Sequence, residues 1–502
     1  MNDQPNNDGT ILGILAAVVG GTAFWKFYVT LNAWEVVGLI VSCLGLLTLL
    51  FLFFLEHFSK YARDKRKRLE TIKEIPVSLI LDSLDGVKMG DEVDLEIPIF
   101  LPDSVRSRHV HILGATGSGK TESVVLNFLR QDIARKYGSI ILDAKGDASF
   151  FRTLEKWATG NKLKFFDLGA ENSLTYDPLS SGSPLEASQR LFSSLTWSEE
   201  YYKSKALSVL QRLFQFHFKS HHRNPRLIEL QKYLETPEKL LATMDLEGYP
   251  IKQAEKDFSE ISGLRDQIGS LCIGHLSTIL SPENGGQMKL DNANQGEVLY
   301  FRLQSLLSPQ LVSTVGKLII NHLNFLAGTA HRNIDTTAKA KLTPIYFDEF
   351  ASFACLEFAD LISKARSAGF ALHFSHQSIG DLTDVADGFL NRITDNSATK
   401  IVMRINDPDS AEFFARSFGT KLYNKFTHRV SNAEETDLAE VGGEGTLREA
   451  HQFRAPPDLL KTLPTGFGSV LIAHGFDTPH GASTVFKIKF PPLSLEAQFP
   501  RF

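Results

Sequence analysis

The sequence predicts an α/β protein: a nucleotide-binding domain on a parallel sheet, interrupted by an all-α insertion domain and preceded by a transmembrane helical anchor. Three observations predict it. An uncharged 20-residue run lies near the N-terminus. A buried strand leads through a glycine-rich turn into a helix and a second strand. Strand signals then lapse for about a hundred residues before they resume.

The anchor comes first. Val36 to Leu55 carries no charge over the length that a bilayer core requires of a helix. Ile11 to Trp25 is apolar but shorter, and it spans only if extended through Lys26, whose ammonium can snorkel to the interface. Lys60, Arg63, Lys65, Arg66, Lys67 and Arg68 follow the second run, whereas Met1 to Trp25 contains no Lys or Arg. The positive-inside bias then puts everything after residue 60 in the cytoplasm, and two spans put the N-terminus there as well. A cleaved signal peptide is the rival reading, but it lacks a basic n-region.

The rest of the composition is that of a soluble protein. At 502 residues, with 43% hydrophobic and 22% charged, the chain has room for two to four units and resembles neither a disordered chain nor a polytopic transporter. A net charge of −5 excludes a surface that is basic overall, so any contact with a phosphate backbone must be local. Cys43, Cys272 and Cys355 form no CxxC pattern, which points to a reducing compartment.

The α/β elements follow in order. VSLIL and LEIPIFL, between Pro76 and Pro102, read as strands. His109–Gly114 reads as a buried strand, Lys120–Ala134 as a helix, Ser139–Asp143 as a strand and Lys162–Leu168 as another. Helical patterns such as SKALSVLQRLFQFHF dominate from about Pro184 to Leu280. Strand signals return at Gly296–Phe301, Pro344–Phe347, Ala371–Ser375, Thr399–Met403 and Gly468–Ile472. The expected divisions are residues 1–70 for the anchor, 71–177 and 291–502 for the two parts of the nucleotide-binding domain, and 178–290 for the insertion.

The chemistry is concentrated in a few places. GATGSGKT fits G-x-x-x-x-G-K-[ST] between a buried strand and a helix. In such a loop Gly114, Thr116, Gly117, Ser118 and Gly119 present backbone amides to anionic oxygens, Lys120 neutralises the β- and γ-phosphates of ATP, and Thr121 offers its hydroxyl to Mg²⁺. Hydrolysis needs further groups. Asp348 and Glu349 end the apolar strand PIYF, well over two hundred residues downstream. Asp348 suits the magnesium shell and Glu349 the polarisation of water. Asp143 competes for the metal from DAKGD, but lacks a second acid in the same turn. Gln377, in HFSHQS, can reach a γ-phosphate or water through its amide. Arg366, in SKARSAG, is either a solvated surface group or an arginine that reaches the nucleotide of a neighbouring subunit; Arg108 has a weaker claim to a boundary. His217, His221 and His222 have no acid or cysteine spaced to complete a metal shell, so a local basic surface is their functional alternative.

Taken together, GATGSGKT, DAKGD, YFDEF, ARSAG, SHQS and DNSATKIVMRI, behind a membrane anchor and around a helical insertion, resemble the type IV coupling proteins of conjugation and secretion. The resemblance covers nearly the whole chain. It implies a RecA-like P-loop ATPase, homo-hexameric at the bacterial inner membrane among lipid, that passes relaxase-bound single-stranded DNA to type IV secretion system components while hydrolysing ATP with Mg²⁺. By position it puts Lys120 and Thr121 on phosphate and magnesium, Asp348 and Glu349 in the acidic pair, Gln377 in the sensing motif, and Arg366 as the arginine acting in trans. Two features depart from the family: the segment between the spans is short, and no long acidic tail precedes Phe502, so recruitment through such a tail is not expected. The alternatives are an adaptor whose insertion recruits protein cargo, and a double-stranded DNA translocase of the chromosome-segregation kind, which would normally end in a winged-helix reader.

Overall fold

The computed structural model describes residues 33–80, 85–158, 163–243, 251–306, 308–333, 342–432, 439–473 and 483–492. The chain divides into two units, Met1–Glu74 and Ile75–Phe502.

In the first unit, α1 (Ala33–Glu74) is one continuous helix of 42 residues carrying both the apolar run and the basic run. Its stretch Leu44–Ile72 is long and apolar enough to cross a membrane. Phe53 and Phe54 are 67% and 75% exposed among the described residues. The shorter run at Ile11–Trp25 lies outside the described residues.

The second unit is built on an 11-stranded sheet. Its elements begin with β1 (Gly86–Glu92), β2 (Pro98–Pro102), β3 (Val110–Leu113), α2 (Leu126–Ala134), β4 (Ser139–Asp143) and β5 (Leu163–Asp167). A run of helices from Pro184 to Ile279 follows, with α3 (Glu200–His221) the longest. Then come β6 (Val298–Arg302), α4 (Pro309–Asn333), β7 (Thr343–Asp348), α5 (Leu356–Lys364), β8 (Phe370–His376), β9 (Thr399–Val402) and α6 (Pro408–Phe418). The chain continues through β10 (Thr420–Asn432), β11 (Ala439–Phe453), α7 (Pro457–Thr462), β12 (Phe467–Ala473) and β13 (Ser483–Lys489).

The sheet order is β2-β1-β13-β12-β9-β3-β8-β7-β4-β6-β5. From β9 to β5 every pairing is parallel. These strands read as unbroken apolar runs because helices cover both faces, and β3, β4, β7 and β8 are buried at every position. Alternate side chains enter different cores. Ile140 and Leu142 join one cluster, Ile141 the other. Leu210, Leu213 and Phe214 of α3 belong to the first cluster, so the helical run shares a core with the sheet.

The sheet is mixed rather than purely parallel, because β2, β1, β13 and β12 pair antiparallel along one side. VSLIL, expected as a strand, instead forms a 3-10 turn at Val77–Leu79. The expected helix Lys120–Ala134 begins as a π-turn over Lys120–Val125 and becomes α-helical only in α2. β10 and β11 form a separate two-stranded sheet that the sequence reading did not anticipate.

Candidate nucleotide site

The loop from Gly114 to Gly119 joins the end of β3 to the turn that leads into α2. Two of its glycines are obligatory for backbone reasons: Gly117 and Gly119 have φ of 74° and 100°, where side chains are strained. A third is obligatory for space, since a Cβ on Gly114 would lie 2.6 Å from Ser118 Oγ. Lys120 is buried, and its ammonium donates to the carbonyl oxygens of Gly114 at 2.5 Å and Ala115 at 3.4 Å. Burial lowers its pKa, while Glu349, Asp348 and Asp381 pull it back towards the charged form. The cation is thus held inside the loop with acids facing it.

Those acids arrive from β7, two strands from β3 in the sheet. Asp348 is 2% exposed. It accepts from Thr121 Oγ1 at 2.9 Å on one oxygen and from Ser375 Oγ at 2.5 Å on the other. Glu349, the next residue, sits in the left-handed region at φ 51°, which turns the chain sharply off the strand. Its carboxylate accepts from Gln377 Nε2 at 3.1 Å, and Gln377 Oε1 in turn accepts from Thr116 Oγ1 at 3.0 Å. A polar chain therefore runs from the phosphate loop through Gln377 to Glu349.

Asp143 lies opposite Asp348 in the β4–β7 ladder. Burial pushes its carboxyl up to about 6, with the Asp348 charge adding to the rise, although hydrogen bonds from Tyr300 Oη at 2.7 Å and Gly146 N at 2.9 Å counter it. A cavity of about 210 Å³ beside the loop is lined by Thr121, Glu122, Asp143, Lys145, Asp147 and Asp348. Its oxygen donors fit Mg²⁺, a hard cation usually held by one or two carboxylates together with water and substrate phosphates. No group of three or more His, Cys, Asp or Glu side chains that could cage a metal by themselves occurs among the described residues.

Lys120, Thr121, Asp348, Glu349, Gln377 and Thr116 are thus brought together at the carboxyl ends of β3, β7 and β8. Arg366 is not. It is exposed on the 3-10 turn Ala365–Ala368, between α5 and the start of β8, at the opposite end of that strand from Gln377. It makes no ion pair among the described residues. Arg108, just before β3, lies close enough for the Arg366 charge to add to the effect of burial in lowering its pKa. Arg108 itself donates to the Ala473 carbonyl. Sequence reasoning passed over Ser375, although it stands two residues before Gln377. It also passed over the turn after α7, where Thr465 Oγ1 donates to the Gly117 carbonyl at 3.2 Å and Gly466 N to the Ser118 carbonyl at 3.0 Å.

Residues 344–463 match a family described as the TraM recognition site of TraD and TraG, a stretch that carries Asp348, Glu349, Arg366 and Gln377. The type 4 coupling protein DotL of Legionella pneumophila is 23% identical over an alignment 435 positions long that covers 72% of this chain and 55% of DotL. The chain therefore spans about half the length of that curated relative. Among solved structures, the bacterial conjugative coupling protein TrwB superimposes with a TM-score of 0.61 at 16% identity, over 83% of this chain and 90% of TrwB. VirB4 of Thermoanaerobacter pseudethanolicus gives 0.53 at 14% identity, over 83% of this chain and 99% of VirB4. In sequence and in fold alike, this chain is similar to the type IV coupling proteins.

Proposed function

We propose that the chain is a membrane-anchored, ATP-hydrolysing motor that couples a relaxase-bound DNA strand to a type IV secretion channel, with its bulk on the cytoplasmic side of the bacterial inner membrane. The observation that carries this reading is the hydrogen bond of Thr121 to Asp348, which joins the phosphate loop to an acidic pair 227 residues away. TrwB, with the same fold, has been solved with ADP and Mg²⁺ and with a non-hydrolysable ATP analogue.

The residues divide the work as follows. The loop amides and Lys120 hold the phosphates, and Thr121 with Asp348 holds Mg²⁺, which when bound draws charge from the phosphate oxygens. Ser375 fixes the Asp348 carboxylate. Glu349 orients and polarises the attacking water, and Gln377 ties that carboxylate to Thr116, so that changes at the γ-position are felt by both. Arg366 has no route to its own site: the seven residues of β8, at about 3.3 Å each, separate it from Gln377 by roughly 20 Å. It acts on the site of an adjacent subunit, in a homo-hexameric ring. The divisions at residues 70, 177 and 290 describe an anchor, a split RecA-like domain and a helical insertion.

The test is ATP hydrolysis by the full-length protein in detergent, with and without single-stranded DNA. The wild-type protein hydrolyses ATP faster with DNA, and Lys120→Ala loses at least a hundredfold of that rate. Full hydrolysis by Lys120→Ala defeats the site assignment.

A further inference from the structure

The β10–β11 ribbon has no place in the nucleotide chemistry. Its strands, 13 and 15 residues long, pair with each other and with no other strand among the described residues. An isolated two-stranded ribbon is marginally stable in water, and strands of this length are unusual. Its register places Lys421 opposite Gln452, Tyr423 opposite Ala450 and Lys425 opposite Arg448. Since residues two apart share a face, Lys421, Tyr423, Lys425 and Arg448 lie on one side. Glu449 pairs with Asn424 and falls on the other. All four are exposed, Tyr423 at 43%, and none of the cations has an ion-pair partner among the described residues.

Lys425 directly opposite Arg448 is a like-charge pair, which weakens a ribbon unless an anion sits over it. With alternate side chains about 7 Å apart, an aromatic ring stands midway between two cations. That pattern fits a single nucleic-acid strand, whose phosphates meet the cations while a base stacks on the ring. An acidic protein or a lipid surface also offers anions, but neither repeats a flat ring and a phosphate at the spacing that alternating cation, aromatic and cation along one strand presents.

We infer that this face of the ribbon grips the backbone of a single-stranded nucleic acid; the inference rests on the DNA-motor reading and supplies its contact surface. The base of the ribbon is linked to the phosphate loop. Arg454 N donates to Gly419 O at 2.9 Å where the strands meet, Ile405 N to Leu460 O of α7 at 3.1 Å, and Ala115 N to Arg404 O at 2.7 Å. The turn after α7 then bonds Gly117 and Ser118. A change at the loop therefore has a short covalent and hydrogen-bonded route to the grip.

The test compares the full-length wild type, the triple variant Lys421→Gln/Lys425→Gln/Arg448→Gln and Tyr423→Ala for binding to a fluorescent oligothymidylate across a salt series. The glutamines remove repulsion, so the ribbon keeps its fold. Expected is a loss of at least tenfold in affinity for the triple variant, with the slope of log K against log salt shallower by about 2 for the three cations. Tyr423→Ala loses about tenfold with the slope unchanged. ATP hydrolysis without DNA stays at the wild-type rate in both, while stimulation by DNA is lost in the triple variant. A triple variant that binds like the wild type overturns the ribbon assignment alone. A wild type that hydrolyses ATP but binds no oligonucleotide overturns both this inference and the DNA-motor reading. Equal loss of binding to polyglutamate or to phosphatidylglycerol vesicles marks a general anion surface and also overturns the assignment.

Discussion

The two ends of β8 behave oppositely. At its carboxyl end every side chain that matters is tied to another: Ser375 to Asp348, Gln377 to both Glu349 and Thr116. At its amino end Arg366 stands exposed, with the Arg108 guanidinium near enough to feel its charge, and neither makes an ion pair among the described residues. One end is a finished constellation held by a single chain. The other carries uncompensated charge, which is what a boundary between copies requires of the side that reaches across.

The sharpest way to break this contrast is to mutate one end and supply it from another molecule. Arg366→Ala is expected to lower ATP hydrolysis by about a thousandfold, as loss of an arginine finger does, while nucleotide binding stays as in the wild type. Mixing it with Lys120→Ala restores hydrolysis, because each variant supplies what the other lacks. No recovery on mixing, measured by phosphate release, would confine Arg366 to a surface role. Glu349→Gln is expected to cost about a hundredfold or more in rate, with nucleotide affinity retained. Like Lys120→Ala, it recovers on mixing with Arg366→Ala, but not on mixing with Lys120→Ala, because those two defects lie in the same site. Ser375→Ala removes one of the two side-chain hydrogen bonds to Asp348 and is expected to lower the rate about tenfold. A shift in the Mg²⁺ concentration for half-maximal rate, read from a titration, distinguishes loosened metal binding from lost chemistry.

The smallest effect at neutral pH concerns the strands between the two ends. Burial lowers His109 and His376 to about 4 and holds His111 well below its ordinary value of 6.5. All three are neutral in the folded chain near pH 7. Below about pH 6.5 the unfolded chain takes up protons that the folded one refuses, so stability falls progressively towards pH 4. Thermal melts should be flat above pH 6.5 and drop below it. His111 and His376, whose Nε2 atoms are 2.6 Å apart, can share one proton but not hold two. A melting temperature that stays constant down to pH 4 would show that these rings are protonated in the fold.

Most of the parallel centre was legible because unbroken apolar strands between helices leave a strong pattern, as SIILD and PIYF do. VSLIL has the same composition but ends in a 3-10 turn, since short apolar runs do not fix their backbone. The ribbon escaped because a strand wet on both faces has no apolar period to read; TKLYNKFTHRV looks like a polar loop. The loop lysine and the acids after β7 could be named from local pattern alone. The hydroxyl of Ser375 that steadies Asp348 could not, since it depends on β7 and β8 being neighbours, a fact set by the whole sheet.

β3, which launches the phosphate loop, lies between β8 and β9, and the loop itself is latched from behind by Thr465 and Gly466. All of these partners are made hundreds of residues later. As the chain leaves the ribosome, Val110 to Leu113 must wait unpaired through synthesis of the entire helical run, a non-local closure of the slow-folding kind. A polypeptide truncated before residue 466 therefore lacks a finished phosphate loop even though every residue of that loop is present, and early arrest of translation yields a bare apolar strand rather than a partial enzyme.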